Sequence, residues 1–175
     1  MTIRLVRLLG DPVLRTPAAT VVAFDEALHA VIDDLQDSVR VPGRAGLAGP
    51  QIGVGLRVFA YNVDGVVAHM INPVLSDPTG EQIDDEGCLS IPGLYFPTPR
   101  ATSVTVRGVD RDGRPVTIEA TGFLARVLQH ESDHLYGVLF VDALTGDARR
   151  QAVRELRRTR TLAGLTPPGT PVGDG

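Results

Sequence analysis

The sequence predicts an α+β fold: antiparallel β-sheets packed around a central helix that carries His-Glu-x-x-His, with one helix before the sheets and one after. Three observations predict it. Apolar residues recur at helical spacing in three separate stretches. Between the first two, the pattern changes to short β-type runs bounded by turn residues. The elements also lack the regular strand–helix alternation that a parallel sheet requires.

Leu28, Val31, Ile32, Leu35 and Val39 recur at helical spacing, and Asp25 and Glu26 favour a helix N-terminus, so a first helix is expected over 25–40. Pro42 and Gly43 break it, and a Gly/Pro-rich segment runs to Gly55. Strands are expected over 56–63, 66–71, 102–109 and 115–120, separated by turn signals such as Asp64-Gly65. A second helix is expected over 121–135, closed by Gly137, then a short strand and a third helix from Asp147 to about Leu162. The sequence has no dividing linker, so residues 1–165 read as a single domain. Residues 166–175, rich in Pro and Gly, read as a disordered tail.

A hydrophobic content of 43% and a charged content of 22% are ordinary for a globular protein that folds without staples. No apolar run approaches the roughly 20 residues of a membrane span. The N-terminal apolar stretch is too short for a secretory signal, which makes a bacterial-type cytosol the expected compartment. All 17 basic residues are Arg, a bias that touches the whole chain and reads as genomic composition. A net charge of −4 gives no global drive toward DNA.

The strongest local signal is H-E-S-D-H, His130 to His134. Positions i and i+4 share a helix face, so two imidazoles can reach one ion. With 4 His and few Glu in 175 residues, chance supplies roughly 0.003 such matches. At about 100° per residue from Leu124, Glu131 falls near 340°, inside the apolar stripe of Val127, Leu128 and Leu135. A carboxylate aimed at a core needs a partner, a proton or a metal. An Arg-paired structural carboxylate is one reading; a general base beside an ion also accounts for the histidines.

A catalytic ion needs a third protein ligand. Cys88, a further carboxylate, His29 and His69 are the candidates. A lone Cys is usually a small buried hydrophobe, but Cys88 lies in D-D-E-G-C-L-S, whose acids and Gly suggest a strand edge near a site. A thiolate ligates far better than a thiol. The residues alone leave the choice open.

Three segments together resemble the peptide deformylase family: G-L-A-G-P-Q (Gly46 to Gln51), E-G-C-L-S (Glu86 to Ser90) and Q-H-E-S-D-H-L (Gln129 to Leu135). The resemblance runs from Asp11 to Asp142. It implies removal of the formyl group from the N-terminal formyl-methionine of newly made polypeptides. It further implies that Cys88, His130 and His134 hold one divalent ion, Fe(II) in the cell with Zn or Ni in purified protein. Glu131 would be the general base, with the Gln51 amide and the Leu89 N–H stabilising the oxyanion. Phe123, Val127 and the stem of Arg126 would meet the methionine side chain, and Ala45, Gly46 and Gly87 the peptide backbone. Glu86 and Arg100 match a pair that braces the motif. The chain departs from the family pattern at Arg44, where the pattern has Gly, placing a charge at the cleft rim. It departs again at Gly49, where the pattern has Ala; the missing methyl is expected to loosen the loop beside Gln51.

Other classes compete. A zinc peptidase with the same helix motif usually adds Glu or His as its third ligand, and a His₂Cys copper carrier wants an axial Met and gives Glu131 no task. A metal-stabilised binding protein without activity is the third alternative. From Arg149 to Arg160 the last helix carries six Arg against Glu155. This reads first as a solvated face; its functional reading is contact with the ribosome, an anionic partner where nascent chains emerge.

Overall fold

The computed structural model describes residues 2–165, with side chains through Arg158. The tail expected over 166–175 lies outside the described residues.

The first helix, α1 (Glu26–Val39), is capped by the Asp25 carboxylate, which accepts from the Leu28 N–H at 3.0 Å. It buries Leu28, Ile32, Leu35 and Val39 against one face of a sheet, on Leu47, Val58, Ala60 and Ile71. That sheet contains β1 (Gly46–Ala48), β2 (Val58–Val63) and β3 (Val66–Thr79). A two-stranded ribbon follows, β4 (Gln82–Cys88) paired with β5 (Ile91–Arg100). The chain then returns to the sheet as β6 (Ser103–Val109) and β7 (Pro115–Thr121). The five sheet strands are antiparallel in the order β1-β2-β3-β6-β7.

Helix α2 (Gly122–Leu135) covers the face opposite α1. Leu128 and Leu135, both 0% exposed, pack with Phe59, Tyr61, Met70 and Val106. A third apolar cluster joins the ribbon to the chain after α2. Ile91, Leu94 and Phe96 meet Leu139, Phe140 and Leu144 there, with Ala152 of α3 (Gly146–Leu165). The expected architecture of sheets around a central HExxH helix, flanked by two helices, is the one observed.

Several elements differ from the sequence reading, among them β1, which lies in the Gly/Pro-rich segment. The ribbon strands β4 and β5 were not expected, because Pro92, Pro97 and Pro99 and a run of acids obscure them. Pro97 and Pro99 sit opposite Asp85 and Ile83, and their rings are compatible with non-hydrogen-bonded pairs whose missing N–H groups would face the open edge of β5. Strand β3 continues past Asn72-Pro73 to Thr79 through two register shifts, with Asn72 at φ 50° and Asp77 at φ 53°. The Asn72 amide holds this bend by accepting from the Val21 N–H and donating to the Val21 carbonyl, both at 2.9 Å. The short strand expected after α2 is instead a 3-10 turn, Phe140–Asp142. Its consecutive Phe140 and Val141 are both buried, and the Asp142 carboxylate accepts from the Leu139 N–H at 2.9 Å, which closes a turn rather than a ladder.

Gly137 ends α2 just after the motif. It adopts φ 72°, and a Cβ there would stand 2.7 Å from the Arg15 carbonyl oxygen. Gly137→Ala is therefore expected to cost about 1–3 kcal/mol from the left-handed backbone alone. Urea denaturation measures it as a lower midpoint at unchanged slope; an unaltered midpoint would refute this account.

Candidate metal centre and cleft

Helix α2 turns His130, Glu131 and His134 inward, at 8%, 3% and 1% exposure. The last residue of β4, Cys88, approaches them from the ribbon. His134 Nε2 lies 3.2 Å from His130 Nε2 and 3.3 Å from Cys88 Sγ. The three ligand atoms all lie within 4.8 Å of one another, the one such grouping of His, Cys and acidic residues among the described residues. Tetrahedral coordination at about 2.1 Å for nitrogen and 2.3 Å for sulfur would set such donors about 3.4–3.6 Å apart. The residues therefore fit a divalent ion in both donor type and spacing.

Hydrogen bonding supports the same conclusion. His130 Nδ1 donates to Glu86 Oε1 at 2.7 Å, so its Nε2 lone pair faces the cluster. Burial opposes the charged ring, but hydrogen bonds to Cys88 and Glu86 raise His130 to about 10. Burial and the His130 charge push His134 well below its usual value, leaving it a neutral imidazole with a lone pair to give. His134 Nδ1 and Glu131 Oε2 are buried without a hydrogen-bond partner.

Glu86 is the brace. It accepts from Arg100 at 2.7 and 3.1 Å, from Arg126 at 2.7 Å, and from His130. Burial disfavours its charge, yet the hydrogen bonds from His130 and Arg100 hold it at about 2. Arg100 reaches onward to Asp133 at 2.6 Å, and its own pKa is raised: burial works against the charge, while Glu86 and Asp133 more than offset it. The Glu86–Arg100 pairing expected from the family resemblance is present.

Gln51 lies in a 3-10 turn (Gly49–Ile52). Its Oε1 accepts from the Ala48 N–H at 2.8 Å, which turns Nε2 toward Cys88 Sγ at 3.6 Å and Ser90 Oγ at 3.3 Å. Gly49 does not loosen this turn. A Cβ there would stand 2.8 Å from the Leu56 carbonyl oxygen and 2.9 Å from that of Val54, so the glycine lets the following loop close.

A cleft of about 360 Å³ opens onto the cluster. Arg44, Ala45 and Gly46 form one wall, Gly87 and Leu89 the other, and Phe123, Arg126 and Val127 line it from α2. Every residue expected to bind substrate is therefore in one place. Two of them have added duties. The Arg126 guanidinium is buried on Glu86 and on the Thr98 carbonyl at 2.9 Å, so only its stem is left for the cleft. Gly87 makes room for the Tyr95 ring, whose nearest atom would be 2.4 Å from a Cβ. His29 and His69 lie elsewhere, bonded to the Arg111 carbonyl at 2.9 Å and to Gln36 at 3.2 Å. Sequence reasoning missed Asp133, Ser90, Thr98 and Tyr95. Asp133 alone carried a signal, being three residues after His130 on the same helix.

A buried carboxylate beside a Cys/His/His donor set, on the floor of an open cleft, has the layout of a metal-assisted hydrolase. The family model for polypeptide deformylase matches residues 3–150. The peptide deformylase of Acidothermus cellulolyticus is 50% identical over 157 residues, covering 90% of this chain and 87% of the relative. The crystal structure of a peptide deformylase from Legionella pneumophila superposes with a TM-score of 0.84 at 41% identity, covering 95% of this chain and 100% of that one. That of the Thermus thermophilus enzyme gives 0.83 at 37% identity, covering 92% and 96%. The chain belongs to the polypeptide deformylase family, metal-dependent hydrolases that remove the N-terminal formyl group of new polypeptides.

Two substitutions test the geometry. A Cβ on Gly46 would fall 2.2 Å from Glu131 Oε1, so Gly46→Ala must displace that carboxylate. Turnover is expected to fall about 100-fold with metal content unchanged, since such misplacement carries a cost of that order. Formate release and metal stoichiometry read the two separately, and undiminished turnover would contradict the contact. Glu86→Gln keeps the shape but not the charge, and metal affinity should weaken about 10–100-fold. Chelator competition measures this, and wild-type affinity would remove Glu86 from the account.

Proposed function

We propose that this chain hydrolyses the formyl amide of formyl-methionine peptides with Glu131 as general base. One observation carries the reading: the Glu131 carboxylate is buried, its Oε2 without a hydrogen-bond partner, in the same cleft as three converging metal-ligand atoms. Cys88, His130 and His134 would hold one divalent ion. When bound, the ion would supply a Lewis acid that polarises the formyl oxygen and acidifies a water.

The chain's own residues supply the remaining steps. Glu131 takes a proton from the attacking water and returns it to the departing methionine amine as the carbon–nitrogen bond breaks and formate leaves. Burial lifts its pKa to about 7, where a carboxylate can both accept and give up a proton. The Gln51 amide, fixed by Ala48, and the Leu89 N–H are the donors for the developing oxyanion. Phe123, 58% exposed at the cleft mouth, forms an apolar pocket for methionine with Val127 and the Arg126 stem. Ala45, Gly46 and Gly87 offer backbone to an extended substrate chain.

A thiolate with two imidazoles suits Fe(II), the ion assigned to the cell, and equally accepts Zn or Ni during purification. No helix among the described residues is long and apolar enough to cross a membrane. The proposed compartment is the cytosol, where nascent chains emerge. Contact with the ribosome is assigned to α3, which turns Ala152 inward and leaves Arg149, Arg150 and Arg154 exposed. Cosedimentation with ribosomes that weakens as salt rises is the expected result; no cosedimentation, or none that responds to salt, would remove this contact.

Glu131→Gln is expected to retain the metal and lose turnover by about 10²–10⁴-fold. The assay is formate release from a formyl-Met peptide, with metal content determined anaerobically. Wild-type protein fully loaded with Fe(II) that releases no formate would overturn the proposal.

A further inference from the structure

The cleft wall carries a cation that neither the ligand cluster nor its brace requires. Arg100 and Arg126, deeper in, are committed to Glu86. Arg44 is half-buried at the cleft mouth, and no carboxylate pairs with it among the described residues. It is nevertheless held in place. Its backbone N–H donates to the Val41 carbonyl at 3.2 Å, and Nη1 donates to the Ser38 carbonyl at 3.0 Å. A guanidinium has five N–H donors, so most of them remain for a ligand in the cleft.

Position along the wall decides which part of a substrate it meets. Gly46 abuts Glu131 and marks the reacting end. Ala45 continues the ladder, its carbonyl accepting from the Asn62 N–H at 2.8 Å. At about 3.3 Å per extended residue, Arg44 stands about 7 Å out from Gly46. A formylated peptide laid along this wall brings the residues after its methionine beside Arg44. Across the cleft Asp85 carries the opposite charge, but it is exposed and screened by solvent, whereas Arg44 is anchored and half-buried. Of these two facing charges, Arg44 is the better fixed.

We propose that Arg44 is a specificity-determining residue that favours formyl-Met peptides with an acidic side chain in the two positions following methionine. The inference rests on the deformylase reading. The test uses amide-capped formyl-Met-Ala-Glu and formyl-Met-Glu-Ala against their Lys counterparts, with kcat/KM from formate release. The protein is expected to favour Glu about threefold to tenfold, mainly through KM, with the preference shrinking as salt rises. Arg44→Gly should level the ratio and Arg44→Glu should invert it. The salt dependence reads the same interaction with no substitution at all. Equal kcat/KM for Glu and Lys peptides, or a Glu preference that survives Arg44→Glu, would overturn the inference while leaving the deformylase reading intact. Formate from none of the peptides would overturn both.

Discussion

The Glu86 carboxylate is the interaction on which the rest of the site depends. It ties the paired strands of the ribbon to the helix: β4, which carries it and Cys88, β5 through Arg100, and α2 through Arg126 and His130. Such a carboxylate is costly to bury alone, and here several charge-assisted hydrogen bonds offset the cost. Because one of those donors is a ligand imidazole, the same contact that docks the ribbon on the helix also fixes the tautomer of His130. Fold and chemistry share one atom, Glu86 Oε1.

Close approach is the second constraint. Gly46 and Gly49 stand where a methyl would collide with Glu131 and with the backbone of residues 54–56. The segment from 44 to 52 is therefore pressed against α2 on one side and its own following loop on the other. This compression brings the Gln51 amide, the Glu131 carboxylate and the cleft wall within reach of one small substrate. A side chain at Gly46 would displace Glu131 by more than catalytic geometry tolerates.

Much of this was legible in the sequence, and unevenly so. The helices declared themselves because their apolar faces have a strong period and their ends carry Asp25 and Gly137. His130, His134 and Glu131 followed from helix geometry alone, since all three share one face of a regular element. Cys88 did not: its place depends on the β4–β5 ribbon, which Pro97, Pro99 and neighbouring acids disguised as loop. Thr98 was invisible for a related reason. Its partner, Arg126, is reached only by long-range packing, and a single sequence contains no pattern that records it. Gly49 was misread because its neighbours, the carbonyls of Val54 and Leu56, are backbone atoms that local composition cannot place.

The ribbon's two borders are chemically unequal, and this has a consequence for how chains attach to the protein. Along the outer border of β5, Pro97 and Pro99 remove the donors that an incoming strand would need, so that side does not template aggregation. The other border, β4, keeps its amides at Asp85 and Gly87 and faces the cleft. An extended polypeptide seeking a backbone partner thus finds an inert side and a receptive one. The adhesive tendency of an exposed strand, usually a hazard, is confined to the single place where a captured chain would meet Glu131.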